Sequence, residues 1–246
     1  MTDEITGMNG QIALLGSGEY LPVMEPIDRT LLDCLHLNGR KPRVVCLPTA
    51  AGTEGDASVD RWISMGLSHF QRLGADVNGV RITNRDEADD PLWAEMIAEA
   101  DLVYFSGGNP LYLYQTLAGS KAWDAAGQAW GRGAAYAGCS AGAMILARYV
   151  PDIRSIGMKQ IPAFGKLPAE SVIPHFDRMK LWRPMILTTA RRRLSGDQFV
   201  LGIDEETALV GRLDGEWQVM GRGKVYIIKK REESAFSDGQ IVPLAQ

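Results

Sequence analysis

One pentapeptide in this 246-residue chain has the residue types and spacing for covalent chemistry: Gly138-Cys139-Ser140-Ala141-Gly142. It follows an apolar run, residues 134–137, that reads as a strand, and it opens a helical run, residues 141–147. A Gly-x-Ser-x-Gly at a strand-to-helix turn predicts a nucleophile elbow, in which a tight backbone lifts a serine hydroxyl above the end of a sheet. The flanking glycines are needed because a Cβ at either would collide across the turn. A hydroxyl becomes a good nucleophile only when a base takes its proton, most often a histidine. The chain has 3 histidines. His36 falls in the helical pattern of residues 24–37 and His69 in that of residues 59–73, where surface or core-edge positions are expected. His175 follows Pro174 in an irregular stretch downstream of the serine, and it is the expected base.

An imidazole in this role needs a carboxylate to orient it. Gly202-Ile203-Asp204-Glu205-Glu206-Thr207 supplies three acids between one apolar run and the next strand, and spacing does not choose among them. Acyl transfer also needs donors for an oxyanion. The N–H of Ala141, just after the serine, is one candidate. Ser106-Gly107-Gly108-Asn109-Pro110 is the other source, because adjacent glycines let peptide N–H groups turn towards a bound carbonyl. Cys139 offers a rival nucleophile for a thiol enzyme, but one residue ahead of Ser140 it is expected to sit off the elbow tip. Gly16-Ser17-Gly18-Glu19 begins like a dinucleotide fingerprint and fails at the third glycine position, which is Leu21.

These groups must be held by a sheet. Residues 12–15, 44–47, 77–82, 102–105 and 134–137 read as strands, and residues 24–37, 59–73, 92–98 and 111–117 show apolar residues at helical spacing. Alternation of this kind implies an α/β fold with a parallel sheet covered by helices on both faces. Ligands bind such sheets at the carboxyl ends of the strands, where the serine and the glycine pair both fall. Residues 151–174 are rich in Gly and Pro. A helix is expected over about residues 178–194, then short strands over 207–213, 216–220 and 224–229. One α/β domain over residues 1–246 is expected.

Composition narrows the function classes. Hydrophobic residues make up 46% and charged residues 23%, which excludes a disordered tail, a collagen-like repeat and a coiled coil. The longest apolar runs are too short to span a bilayer, and residues 1–9 lack the features of a signal peptide. A formal net charge of -4 argues against a nucleic-acid surface. The 3 cysteines have no CxxC spacing and fit a reducing compartment, so a cytoplasmic setting is expected. No metal cluster and no cofactor motif is found, so neither is expected. A non-catalytic binding module on the same fold stands as a second rival.

Taken together, Leu15-Gly16-Ser17-Gly18-Glu19, Phe105-Ser106-Gly107-Gly108-Asn109, Gly138-Cys139-Ser140-Ala141-Gly142-Ala143, Pro174-His175-Phe176 and Gly202-Ile203-Asp204-Glu205 resemble the serine peptidase family of aspartyl dipeptidase (peptidase E) and cyanophycinase. The pieces occur in that family's order between residues 11 and about 210. The resemblance implies a flavodoxin-like sheet, as in class I glutamine amidotransferases, and a Ser-His-Glu triad. By position it makes Ser140 the nucleophile, His175 the general base and Glu205 the orienting acid. Aspartyl dipeptidases cleave after an N-terminal aspartate, and cyanophycinases cleave β-aspartyl-arginine units. The family's substrate arginines lie after the histidine, which points to Arg178 and Arg183, with Asn109 as a further substrate contact. Cyanophycinase-like proteins carry Asp-Gln before the histidine and Gln after the Gly-Gly-Asp/Asn box; here Ile173-Pro174 and Pro110 stand there. Pro-His-Phe resembles the dipeptidase side. The expectation is a serine exopeptidase acting on small peptides of unassigned side-chain preference, with α- or β-linked aspartyl dipeptides as one candidate class, no nucleic-acid or membrane partner, and homodimer formation left open.

Overall fold

The computed structural model describes residues 10–152 and 159–244. Residues 1–9, and the part of the Gly/Pro-rich stretch at 153–158, lie outside the described residues. Five short apolar segments form strands: Ile12–Leu15 (β1), Arg43–Leu47 (β2), Asp76–Gly79 (β3), Leu102–Phe105 (β4) and Ala135–Cys139 (β5). They pair in parallel in the order β1-β5-β4-β2-β3. Every residue of β1, β4 and β5 is buried, because the sheet is covered on both faces.

Strand pleating divides the core in two. Ile12, Leu14, Val103 and Phe105 face helices Pro91–Ala98, Pro110–Leu117 and Lys121–Gly131, which supply Ile97, Leu113, Leu117 and Ala129. Ala13, Leu15, Leu102 and Tyr104 face helices Glu25–Asp33 and Asp56–Arg72, which supply Ile27, Leu31 and Phe70.

The chain then forms Tyr149–Asp152 (β6), Lys159–Pro162 (β7), Ser171–Ile173 (β8), Phe199–Ile203 (β9), Thr207–Gly211 (β10), Trp217–Gly221 (β11), Lys224–Lys229 (β12), Glu233–Ser237 (β13) and Ile241–Val242 (β14). Three of these, β10, β11 and β14, extend the main sheet antiparallel beyond β1 and complete an 8-stranded, mostly parallel sheet. Four others make a second sheet in the order β13-β12-β9-β8, and β6 pairs with β7. The fold class expected from the sequence is the one observed. The antiparallel extension and the second sheet are additions to it.

Element boundaries differ where local chemistry is outvoted. The helical pattern at 24–37 yields a helix only at Glu25–Asp33, after a 3-10 turn at Pro22–Met24. The expected strand 77–82 is Asp76–Gly79, although Val80 and Ile82 remain buried. The expected helix 141–147 stops at Met144: the Ala147 N–H turns to the Met144 carbonyl rather than to that of Ala143, and the carbonyls of Ile145, Leu146 and Ala147 accept from the N–H groups of Phe164, Lys166 and Gly165. The expected helix 178–194 splits into a 3-10 turn, Phe176–Met179, and a helix, Arg183–Arg193, with Pro184 in its first turn, a position that starts helices. Helix Lys121–Gly131 escapes periodicity because its buried face includes Ala122, Ala125, Ala126 and Ala129, which carry little apolar signal.

Candidate active site

Ser140 sits at the carboxyl end of β5 with φ 48° and ψ −102°, a strained conformation that non-glycine residues rarely adopt. The surrounding backbone is crowded enough to impose it. A Cβ at Gly138 would lie 2.4 Å from the carbonyl carbon of Gly142, and one at Gly142 would lie 2.6 Å from the Phe105 carbonyl oxygen. The elbow expected from the pentapeptide is therefore present.

His175 follows β8, in the second sheet, and is itself held in a left-handed conformation at φ 51°. Its Nε2 lies 3.2 Å from Ser140 Oγ, and its Nδ1 lies 2.8 Å from Glu205 Oε1. The Glu205 carboxyl is held below its ordinary pKa by the His175 hydrogen bond first and by Arg178 second. An ionised carboxylate can only accept, so Nδ1 carries a proton towards Glu205 and Nε2 is left to accept from the serine hydroxyl. Hydroxyl, imidazole and carboxylate thus form one hydrogen-bonded chain that can generate an alkoxide nucleophile.

The turn after β9 separates the three acids that spacing left equivalent. Asp204 is buried and turned towards β12: its Oδ2 accepts the Lys224 N–H at 2.9 Å, and burial raises its pKa. Glu206, at φ 51°, pairs outward with Arg222 at 2.9 Å. Glu205 alone of the three reaches His175, and its own N–H donates to Asp177 Oδ1 at 2.8 Å. Asp177 was not singled out from the sequence. Its position two residues after the histidine was the available signal.

The glycine pair lies against the serine, since a Cβ at Gly107 would sit 3.3 Å from Ser140 Cβ. Its two peptide N–H groups are not equivalent. The Ser106 N–H donates to the Leu47 carbonyl at 3.1 Å and the Asn109 N–H to the Ala50 carbonyl at 2.8 Å. The Gly107 N–H donates to Glu19 Oε1 at 2.8 Å, which corrects the expectation that it faces an oxyanion. Gly108 is the residue of this run whose N–H has no acceptor among the described residues. Ala141 opens the helix Ala141–Met144, so its N–H also lacks an intrahelical acceptor. Asn109 caps helix Pro110–Leu117, its Oδ1 accepting from Leu111 and Tyr112 N–H groups at 3.1 Å each. Its side-chain oxygen is therefore committed, and only its amide nitrogen is open to a ligand.

The two candidate arginines differ as well. Arg178 donates through Nε to Glu205 Oε2 at 2.7 Å, and its two terminal nitrogens make no hydrogen bond among the described residues. Arg183 bonds Glu233 and lies over the rings of Phe176 and Tyr226 at 4.7 and 4.8 Å, so it is tied into the fold. The other two histidines are removed from the reaction. His36 is exposed, and His69, expected at a surface or core edge, is fully buried 2.7 Å from Asp28. Cys139 is inaccessible: its thiol donates to Glu19 Oε2 at 2.7 Å, and burial pushes its pKa well above the usual thiol value. Among the described residues, no group of His, Cys, Asp and Glu could hold a metal ion, and no helix is long and apolar enough to cross a membrane.

A mostly parallel α/β sheet with a serine on a strained elbow, a histidine at hydrogen-bond distance and adjacent open N–H groups defines a serine hydrolase. The sequence profile of peptidase family S51 matches residues 12–216, and the chain belongs to that family of serine-type peptidases. A solved peptidase from an acI-B1 actinobacterium has a TM-score of 0.84 to this chain at 37% identity, over 95% of this chain and 96% of its own. A Listeria monocytogenes protein designated peptidase E shares the fold at a TM-score of 0.58 and 17% identity, over 92% of this chain and 98% of its own. The cyanophycinases of Geminocystis herdmanii and Synechococcus elongatus are 25% and 28% identical, covering 85% and 95% of this chain and 79% and 72% of theirs.

Proposed function

We propose that the enzyme hydrolyses small peptides through an acyl-enzyme, with Ser140, His175 and Glu205 as its triad. The observation that carries this reading is the continuous chain from Ser140 Oγ through both ring nitrogens of His175 to Glu205. Ser140 Oγ attacks the scissile carbonyl while His175 Nε2 takes its proton. Glu205 holds the ring in the tautomer that can accept and stabilises the imidazolium that forms. The N–H groups of Gly108 and Ala141 receive the oxyanion. His175 then protonates the departing amine, and water hydrolyses the ester by the same steps in reverse.

We further propose aspartyl peptides, α- or β-linked, as the substrate class. The support is the free end of the Arg178 guanidinium. Anchored on Glu205 by Nε, it presents its terminal nitrogens beside the triad, where they can receive a substrate carboxylate. The buried, hydrogen-bonded state of Cys139 argues against the thiol alternative. The test is a dipeptide library containing α- and β-aspartyl members, run with the wild-type enzyme and with Ser140→Ala. Cleavage of aspartyl members that falls by on the order of a million-fold in Ser140→Ala is expected. Near wild-type turnover by folded Ser140→Ala refutes the triad, and cleavage without regard to aspartate refutes the substrate class.

A further inference from the structure

We propose that Glu19 is a positioning residue of the oxyanion hole: its carboxylate draws the Gly107 N–H out of the site and so selects the Gly108 N–H as the donor that faces the scissile carbonyl. The inference rests on Ser140 being the nucleophile, and it adds a residue that the Gly16–Glu19 run supplied without any nucleotide to bind. Glu19 is buried on the short loop that leaves β1. In the sheet, β1 and β4 flank β5, so this loop reaches across the end of the strand that carries the nucleophile. One carboxylate oxygen accepts the Gly107 N–H at 2.8 Å, from the loop after β4. The other accepts the Cys139 thiol proton at 2.7 Å, from the last residue of β5. A single side chain therefore ties the two loops that must supply opposite sides of one oxyanion hole.

The surrounding geometry leaves the glycine loop little freedom. Tyr20, the next residue, places its hydroxyl 2.9 Å from Ser106 Oγ, so consecutive residues of one loop hold consecutive residues of the other. Tyr20 does this at φ 65°, a conformation that costs free energy in a non-glycine residue and persists only when packing imposes it. Its ring is packed against Tyr104, with centroids 5.0 Å apart. On the far side of the loop the Asn109 N–H is fixed on Ala50. With Ser106, Gly107 and Asn109 all engaged, Gly108 alone keeps an open N–H. A carboxyl side chain suits this position because its two oxygens accept from the Gly107 N–H and from the Cys139 thiol at once.

The test uses the full-length enzyme and a fluorophosphonate probe, in which Ser140 Oγ displaces fluoride and the phosphoryl oxygen occupies the oxyanion position. Wild type and Ser140→Ala establish whether Ser140 is the labelled residue. If it is not, the triad reading fails, and that failure is separate from any result on Glu19. Glu19→Leu keeps bulk without an acceptor, and Glu19→Gln keeps one oxygen for Gly107. The expected result is that Glu19→Leu lowers the maximal labelling rate about a hundred-fold, in line with loss of an oxyanion donor. The half-saturating probe concentration should stay within about threefold, and Glu19→Gln should recover all but about tenfold of the rate. Labelling of folded Glu19→Leu at the wild-type maximal rate overturns the proposal, as does an equal loss in Glu19→Gln. Should Glu19→Leu not fold, Tyr20→Phe removes only the hydroxyl on Ser106. A several-fold slower maximal rate is then expected, with a lowered thermal midpoint because the buried Ser106 hydroxyl loses its partner, and a wild-type rate overturns the proposal.

Discussion

Replacing Gly108 by alanine tests the oxyanion geometry at the atom where it is most constrained. Gly108 adopts φ +140°, which disfavours any residue with a side chain, and its ideal Cβ would lie 2.4 Å from the Ala50 carbonyl oxygen and 2.8 Å from the Ala51 nitrogen. Those neighbours are backbone and cannot rotate away. Restoring ordinary van der Waals contact requires a displacement of about 1 Å, enough to remove a donor from hydrogen-bond range of an oxyanion. Loss of one such donor raises the barrier by about 2.7–4 kcal/mol, so kcat should fall ~100- to 1000-fold while KM changes little. Strain of about 1–3 kcal/mol should also lower the thermal midpoint. The control is Gly133→Ala, at φ +99° with nothing within 4 Å, which carries backbone strain without touching the site. Steady-state kinetics and thermal melts of both variants decide the matter. If Gly108→Ala keeps kcat within about threefold while folded, or if Gly133→Ala loses as much, the Gly108 N–H is not the oxyanion donor.

Arg178→Gln should lower kcat/KM for acidic dipeptides by about 10- to 100-fold and for neutral ones far less, and equal losses on both would remove the carboxylate-binding role. The same substitution should alter acid stability. Glu205 is held below its ordinary pKa by His175 and then Arg178, so its contribution to folding is present above the unfolded value and lost as pH falls through the folded one. Without Arg178 the folded value rises towards the unfolded one, so the acid-side loss should be smaller and complete at higher pH; thermal midpoints that fall identically with pH in both proteins would refute this. Cys139→Ala should keep fluorophosphonate labelling of Ser140 while costing about 1–3 kcal/mol of stability, because it leaves a buried Glu19 oxygen unpaired. Loss of labelling would reopen the thiol mechanism.

The chain's local chemistry was enough to locate the strained turn at Ser140. Gly138 and Gly142 around Ser140 define an elbow by steric exclusion alone, a constraint that acts within five residues and is visible in the string. The parallel strands were legible for a similar reason: buried on both faces, Ile12–Leu15 and Leu102–Phe105 must be apolar throughout, whatever they pack against. A histidine in a loop after the serine was likewise a choice among three residues.

What the string could not decide were relations between strand ends far apart in sequence. Asp204, Glu205 and Glu206 are chemically similar neighbours. Only the direction of the turn after β9 sends the first to β12, the second to His175 and the third to Arg222. Arg178 and Arg183 look alike on a basic segment, yet the rings of Phe176 and Tyr226 claim one and leave the other bonded to Glu205. Gly107 and Gly108 are the same residue type side by side. Their difference arises because Glu19, 88 residues earlier, takes one N–H and leaves the other free. A hydrogen bond is a statement about direction at about 3 Å, and direction at that scale is set by the packing of the whole sheet rather than by the identity of the next residue.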